Sequence, residues 1–311
     1  MKISLLTDAP DHNLALMKLS AYHKNRGDTV VLNQPIMPAD KTYASVLFSK
    51  NKNKFHADEY GGIQFPDKIL PRQVECMKPD YDLFNLDYSL GYTFRPCYRR
   101  CDFCLVKTLH HPDKRHHSIW EFHDKKFSKI MILNNNWLLD PLWIDTFNEI
   151  WAEKLTVKEH GLDLRLMDEE KANAIKKTKW NGRIHFAWDR MRDEKLIIKG
   201  LEFIKAYKIE SRCYVLSGYD TTWEQDLYRC QVLINYKQIP YIMPYKEKGM
   251  TPKIKNYINS LKWWHYRDNI QVGFLNYLKG IKHENSKKIK IKKEKESANM
   301  SLFEYLNKEE I

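Results

Sequence analysis

The sequence has no apolar run that approaches the length of a membrane span. Its opening, Lys2-Ile3-Ser4-Leu5-Leu6-Thr7-Asp8, is too short an apolar stretch, and too soon acidic, for a secretory signal. Both absences point to the cytoplasm and away from any membrane partner. Cysteine is scarce, with six in 311 residues, and Cys76, Cys213 and Cys230 are scattered. That excludes a disulfide framework and suits a reducing compartment. Glycine is also scarce, at 11 residues, and no glycine-rich phosphate loop follows the first predicted strand.

What is present fits a globular chain able to bury a sizeable core in one large domain or two smaller ones: 43% of residues are hydrophobic and 30% charged. The net charge is +12, of which residues 279–296, with eight Lys and three Glu, supply +5. A basic surface attracts nucleic acid or an acidic partner, and a solvated lysine-rich tail is the plainer reading of that segment.

The chain is organised around Gly91-Tyr-Thr-Phe-Arg-Pro-Cys97-Tyr-Arg-Arg-Cys101-Asp-Phe-Cys104. Three cysteines spaced C-x3-C-x2-C follow a run that reads as a strand, Ser89–Phe94. Thiolates on a tight loop hold zinc or an iron–sulfur cluster, and ligand type alone does not separate the two. A structural zinc site wants four ligands, so a zinc reading needs His110 or His111 as the fourth. The spacing is not that of a bacterial ferredoxin either. A four-iron cluster on three cysteines leaves one iron open to a small molecule.

The motif resembles the C-x3-C-x-aromatic-C signature of the radical SAM superfamily, with Phe103 at the aromatic position. The resemblance implies that Cys97, Cys101 and Cys104 ligate a 4Fe–4S cluster whose fourth iron binds S-adenosylmethionine. It further implies reductive cleavage of SAM to a 5′-deoxyadenosyl radical that abstracts hydrogen from a substrate. The electron donor would be a flavodoxin or ferredoxin.

Residues 1–60 read as a small βαβ layer: strand Lys2–Leu6, a helix carrying Leu14 to Tyr22 with Gly27 past its end, strand Thr29–Leu32, and a third strand at Tyr43–Phe48. This segment resembles a shortened form of the cobalamin-binding Rossmann domain found before some radical SAM domains. The Asp-x-His-x-x-Gly pattern of that domain is missing, Asp11-His12 being the nearest approach, so no cobalamin is expected. Residues 61–88, with Pro66, Pro71 and Pro79, read as a connector.

From 89 to 250, strands and helices alternate. Strands are expected at Ser89–Phe94, Lys129–Leu133, Leu162–Leu166, Arg183–Ala187, Arg212–Leu216 and Pro240–Met243. Helices are expected from Asp140-Pro141, where Asp caps and Pro suits the first turn, and near 168–179, 193–207 and 222–236. Six strand–helix repeats imply an α/β fold with a parallel sheet. The family's core is a partial (βα)6 TIM-like barrel, and the strand count agrees. Aromatic helices at 251–280 and a basic tail at 281–311, with a short terminal helix near Leu302–Leu306, complete the expected architecture.

Chemistry in βα barrels gathers at the C-terminal strand ends. Beyond the expected strands lie Asn134-Asn135-Asn136, Arg165 with Asp168, Trp188-Asp189-Arg190, Ser217-Gly218-Tyr219-Asp220, and Tyr245-Lys246. The resemblance assigns SAM contacts to some of them. Asn134, Asn135 and Asn136 occupy the place of the family's Gly-Gly-Glu-like turn and can accept from the methionyl ammonium. Arg165 can pair the carboxylate, Asp189 stands at a ribose-contacting strand end, and Gly218 and Phe103 are placed near the adenine. His110-His111 and His116-His117 follow the cysteine loop without completing a familiar metal site. No second cysteine cluster follows. The rival reading is a nucleic-acid-binding protein whose cysteines hold a structural zinc or iron–sulfur site without turnover; nucleic acid or a nucleotide is also favoured over peptide as the enzyme's substrate.

Overall fold

The computed structural model describes residues 1–35, 37–109, 113–158 and 161–245. The helices expected at 251–280, the tail to 311, Lys246, His110 and His111 lie outside the described residues. The described chain is a mixed α/β structure whose strand ladders are parallel. It divides into two compact units: Met1–His160 with Lys176–Gly182, and Gly161–Ile175 with the chain from Arg183.

The first unit opens with β1 (Lys2–Thr7), α1 (Leu14–Asn25), β2 (Thr29–Leu32), β3 (Lys41–Ser45) and β4 (Glu59–Gly61). They form one sheet in the order β2-β1-β3-β4. Asn13 caps α1 by accepting from the Leu16 N–H, and Gly27 takes a left-handed φ of +83° just past the helix. Helix α1 is buried on two sides. Leu16 and Leu19 join Ile3, Leu5 and Val74, whereas Met17 joins Tyr81, Tyr88 and Leu90. A helix packed on both faces loses its polar stripe, which is why its period in the sequence is weak. Each fully buried Ile or Leu here contributes about 1.5–3 kcal/mol. The third strand ends at Ser45, short of the expected Phe48. There the Asp8 carboxylate accepts from the Leu47 and Phe48 N–H groups and draws the chain off the ladder.

After α2 (Arg72–Glu75), the same unit builds a second sheet. It contains β5 (Ser89–Gly91) and β6 (Lys129–Ile132), then α3 (Trp143–Ala152) and β7 (Thr156–Lys158), and, after α4 (Glu169–Lys177), β8 (Trp180–Asn181). The order is β5-β6-β7-β8. Strand β5 stops at Gly91, where the Phe122 ring lies so close that a Cβ would sit 2.3 Å from it. Helix α3 begins two residues after Pro141, because Asp140 accepts from the Leu142 N–H and holds the preceding turn.

The second unit carries β9 (Ile184–Trp188), α5 (Glu194–Ala206), β10 (Ser211–Ser217), α6 (Trp223–Asn235) and β11 (Ile239–Pro244), with sheet order β11-β10-β9. Thr222 and Gln225 close a capping box on α6. The strand expected at Leu162–Leu166 is not one. Residues 164–166 form a 3₁₀ turn, and the strand in that part of the chain is β7. Buried Leu162 and Leu164 mimic strand alternation, but Asp163 accepts from the Arg165 N–H and winds the turn. Gly200 of α5 comes close enough that a Cβ would lie 2.4 Å from the Leu164 carbonyl oxygen. No helix among the described residues is long and apolar enough to cross a membrane.

Candidate functional site

The cysteine loop has a fixed stem and an open tip. At the stem, Thr93 is fully buried and held from three directions. Its N–H donates to Asn134 Oδ1 at 2.9 Å, its carbonyl accepts from the His117 N–H at 2.7 Å, and its hydroxyl meets Asn134 Nδ2 and Thr146 Oγ1. The Phe94 N–H donates to the same Asn134 oxygen at 2.9 Å. Arg95 lies over the Tyr92 ring, its carbonyl accepts from Asn135 Nδ2, and its guanidinium pairs with Glu75.

Beyond Pro96 the chain is more exposed. Cys97, Cys101 and Cys104 form no disulfide and are partly exposed, Tyr98 is 62% exposed, and Arg100 takes a left-handed φ of +48°. The Cys104 N–H closes a turn on the Cys101 carbonyl, and a short 3₁₀ helix, residues 105–108, follows. Phe103 lies partly buried on the same tip. Among the described residues, no three His, Cys, Asp or Glu side chains converge as placed to hold a metal ion. The donor set nonetheless suits iron: three thiols share one short loop with no disulfide among them.

The three asparagines after β6 divide their work. Asn134 is 3% exposed and its amide is spent on the stem of the cysteine loop. Asn135 is exposed and Asn136 is buried. The histidines of this region are held by carboxylates: His116 Nδ1 lies 2.6 Å from Asp140, and His117 lies between Asp113 and Glu121.

The first unit also contains a cleft of about 1510 Å³. Its walls are the C-terminal ends of β3 and β4 at Ser45 and Gly62, the start of α1, and the cysteine loop from Arg95 to Tyr98. Arg95, Lys18 and Glu75 line it, and no local pattern marks them, since the three are separated by up to 77 positions.

In the second unit, the residues after β9 and β10 form a charged cluster. Arg165 pairs bidentately with Asp163 and also reaches Asp193 at 3.0 Å. Asp189 follows β9, and burial pushes its carboxyl up to about 6, against the pull of Arg165 and Arg229. Arg229 is fully buried and donates to the Trp188 and Leu216 carbonyls at 2.6 and 2.7 Å and to Asp226. It ties the end of β9 to the end of β10. Gly218 follows β10 with φ +76°, and Tyr219 packs edge-on to Tyr245. Nothing in the pattern of α6 singled out Arg229; an Asp-Arg pair at i,i+3 is common on exposed helix faces. Cys213 and Cys230 are buried, and burial pushes the Cys230 thiol up to about 12.

No family model matches the sequence, and no curated protein matches it. Among solved structures, the chain is similar to the radical S-adenosylmethionine methyltransferase TsrM from Kitasatospora setae, solved with cobalamin and a 4Fe–4S cluster bound. The TM-score is 0.58 at 9% identity, over 78% of this chain and 74% of that one. The TsrM structure with tryptophan substrate and a SAM analogue matches with the same TM-score at 10% identity, over 78% and 72%. The likeness is one of fold.

Proposed function

We propose that this protein is a radical SAM enzyme in which Cys97, Cys101 and Cys104 hold a 4Fe–4S cluster and SAM binds at its fourth iron. The carrying observation is a coincidence of two independent features. A C-x3-C-x2-C loop leaves the end of β5, and the chain around it shares the fold of a solved radical SAM enzyme. The cluster and SAM, when bound, supply a 5′-deoxyadenosyl radical for hydrogen abstraction. Asn134 fixes the stem from which the tip, residues 97–104, extends.

The chain's own residues take the remaining tasks. Asn134 positions the loop, Asn135 is the exposed amide beside it and the one available to the methionyl ammonium, and Phe103 packs near the adenine. Arg165, Asp189 and Gly218 lie on the second unit. A nucleotide or nucleic acid is the substrate class that suits the basic chain. The cobalamin of the neighbour is not carried over: His12 is tied to the Tyr88 hydroxyl at 3.3 Å, and the Asp-x-His-x-x-Gly pattern is missing.

Anaerobic iron–sulfide reconstitution tests this reading. The expected product holds about four irons per chain, changes its reduced-state EPR spectrum on adding SAM, and loses both properties in Cys101→Ala. A protein that takes zinc and no iron under those conditions overturns it in favour of a structural metal site.

A further inference from the structure

The cleft of the first unit is too large for SAM alone. A site for one small ligand occupies about 300–1,000 Å³, and this one holds about 1510 Å³. Its charge is one-sided. Lys18, Lys68, Arg95, Arg100, Lys107 and Lys114 line it against only Glu75 and Asp113. Asp113 is already matched by Arg115 and His117.

At the inner wall, Lys18 and Arg95 converge on one carboxylate oxygen, Glu75 Oε1. Lys18 is 11% exposed, and Glu75 and Arg95 each 23%. Two cations sharing one carboxylate leave a net positive charge where water screens it weakly. Arg95 spends Nη2 on Glu75, and its Nε and Nη1 have no acceptor among the described residues. A guanidinium fork with free donors, beside a lysine, matches a phosphate or carboxylate group.

The outer wall is apolar. Tyr98 and Leu105, 62% and 61% exposed, line the cleft on the cysteine loop, with Phe65 on the opposing connector. Exposed aromatic and aliphatic faces next to cations are the pairing that binds a base by stacking and its phosphate by charge.

From this arrangement we infer that the cleft binds a phosphorylated nucleotide, with its phosphate on Lys18 and Arg95 and its base against Tyr98. The inference rests on the radical SAM reading for its meaning, since it names the substrate class of that site, but the binding itself does not require the cluster. Glu75 orders the two cations and weakens their pull on an anion. The nucleotide is either free or part of a strand.

Isothermal titration of the full chain with each 5′-mononucleotide, the matching nucleosides, and a ten-nucleotide RNA and DNA strand tests it. Nucleotides should bind at least about tenfold more tightly than nucleosides, and Arg95→Gln or Lys18→Gln should each remove about tenfold or more. Glu75→Gln should bind as well as wild type or better, an outcome that loss of structure would not produce. A strand that binds while mononucleotides do not identifies nucleic acid as the source; the reverse identifies the free nucleotide. Equal binding of nucleosides and nucleotides, no effect of either cation variant, or stoichiometric uptake of cobalamin with no nucleotide binding overturns the inference. The same titration on Cys101→Ala separates the two claims: nucleotide binding that persists there stands even if the wild type never assembles a SAM-responsive cluster.

Discussion

Asn134 is the residue on which the placement of the cysteines depends, and its removal has a calculable cost. Its amide oxygen accepts from two backbone N–H groups, Thr93 and Phe94, each at 2.9 Å, and its nitrogen donates to the Thr93 hydroxyl at 2.8 Å. Thr93 and Phe94 are 0% and 3% exposed, so water does not readily take over. Asn134→Ala leaves two buried donors unmatched at about 1–3 kcal/mol each, or about 2–5 kcal/mol together once some relaxation is allowed. Against the 5–15 kcal/mol that holds a typical domain together, this is a large share. Asn134→Asp keeps the oxygen that accepts both N–H groups, and the Thr93 hydroxyl can turn to donate to the second oxygen, so its expected loss is smaller, about 1 kcal/mol. Exposed Asn135→Ala should cost less than about 0.5 kcal/mol. Urea unfolding followed by circular dichroism gives all three values, and iron retained after reconstitution reports the loop. An Asn134→Ala protein within 0.5 kcal/mol of wild type, with unchanged m-value and full iron, would refute the clamp.

Three further outcomes follow from the same reasoning. Arg229→Met should destabilise by about 3–5 kcal/mol, since it strands the buried Asp226 carboxylate and two strand-end carbonyls, and denaturant midpoints will show it. Asp189 is raised from its ordinary value to about 6, so the folded chain binds its proton more tightly than the unfolded one. That group therefore lowers stability as pH climbs from about 4 through 6; Asp189→Asn should flatten this decline and gain about 1–3 kcal/mol at pH 7, read from melting curves at pH 5 and 7.5. Parallel curves for variant and wild type would show that Asp189 is not perturbed. Gly91→Ala should cost about 1–3 kcal/mol by forcing a methyl into the Phe122 ring, and replacing Phe122 by Leu in that variant should recover part of it.

Much of the fold was legible because the local signals agreed with the final packing. β1, β2, β6, β9, β10 and β11 fall within about one residue of the expected apolar runs, and Gly27 and Thr222 mark helix ends by their own chemistry. The failures have physical causes. Leu162 and Leu164 alternate like a strand but are buried by a 3₁₀ turn under α5, while the real strand, Thr156-Val-Lys158, is too short and polar to show a period. β4 and α2 are hidden for the same reason of length. Within the site, the cysteine spacing was visible because Cys97, Cys101 and Cys104 fall within eight residues of sequence. Asn134 was visible as a strand-end residue but not as a clamp, because its partners lie 40 and 41 positions away. The Lys18–Glu75–Arg95 cluster is a product of tertiary folding alone.

The central claim is radical chemistry at the cysteine loop, and one assay addresses it directly. Anaerobically reconstituted protein is reduced with dithionite, given SAM, and assayed for 5′-deoxyadenosine beside Cys97→Ala and Cys101→Ala. The account predicts 5′-deoxyadenosine from the wild type, none from either variant, and a higher yield when the nucleotide bound by the cleft is supplied. A reconstituted wild type that carries its full iron yet produces no more 5′-deoxyadenosine than the cysteine variants, with every nucleotide class added, would contradict it.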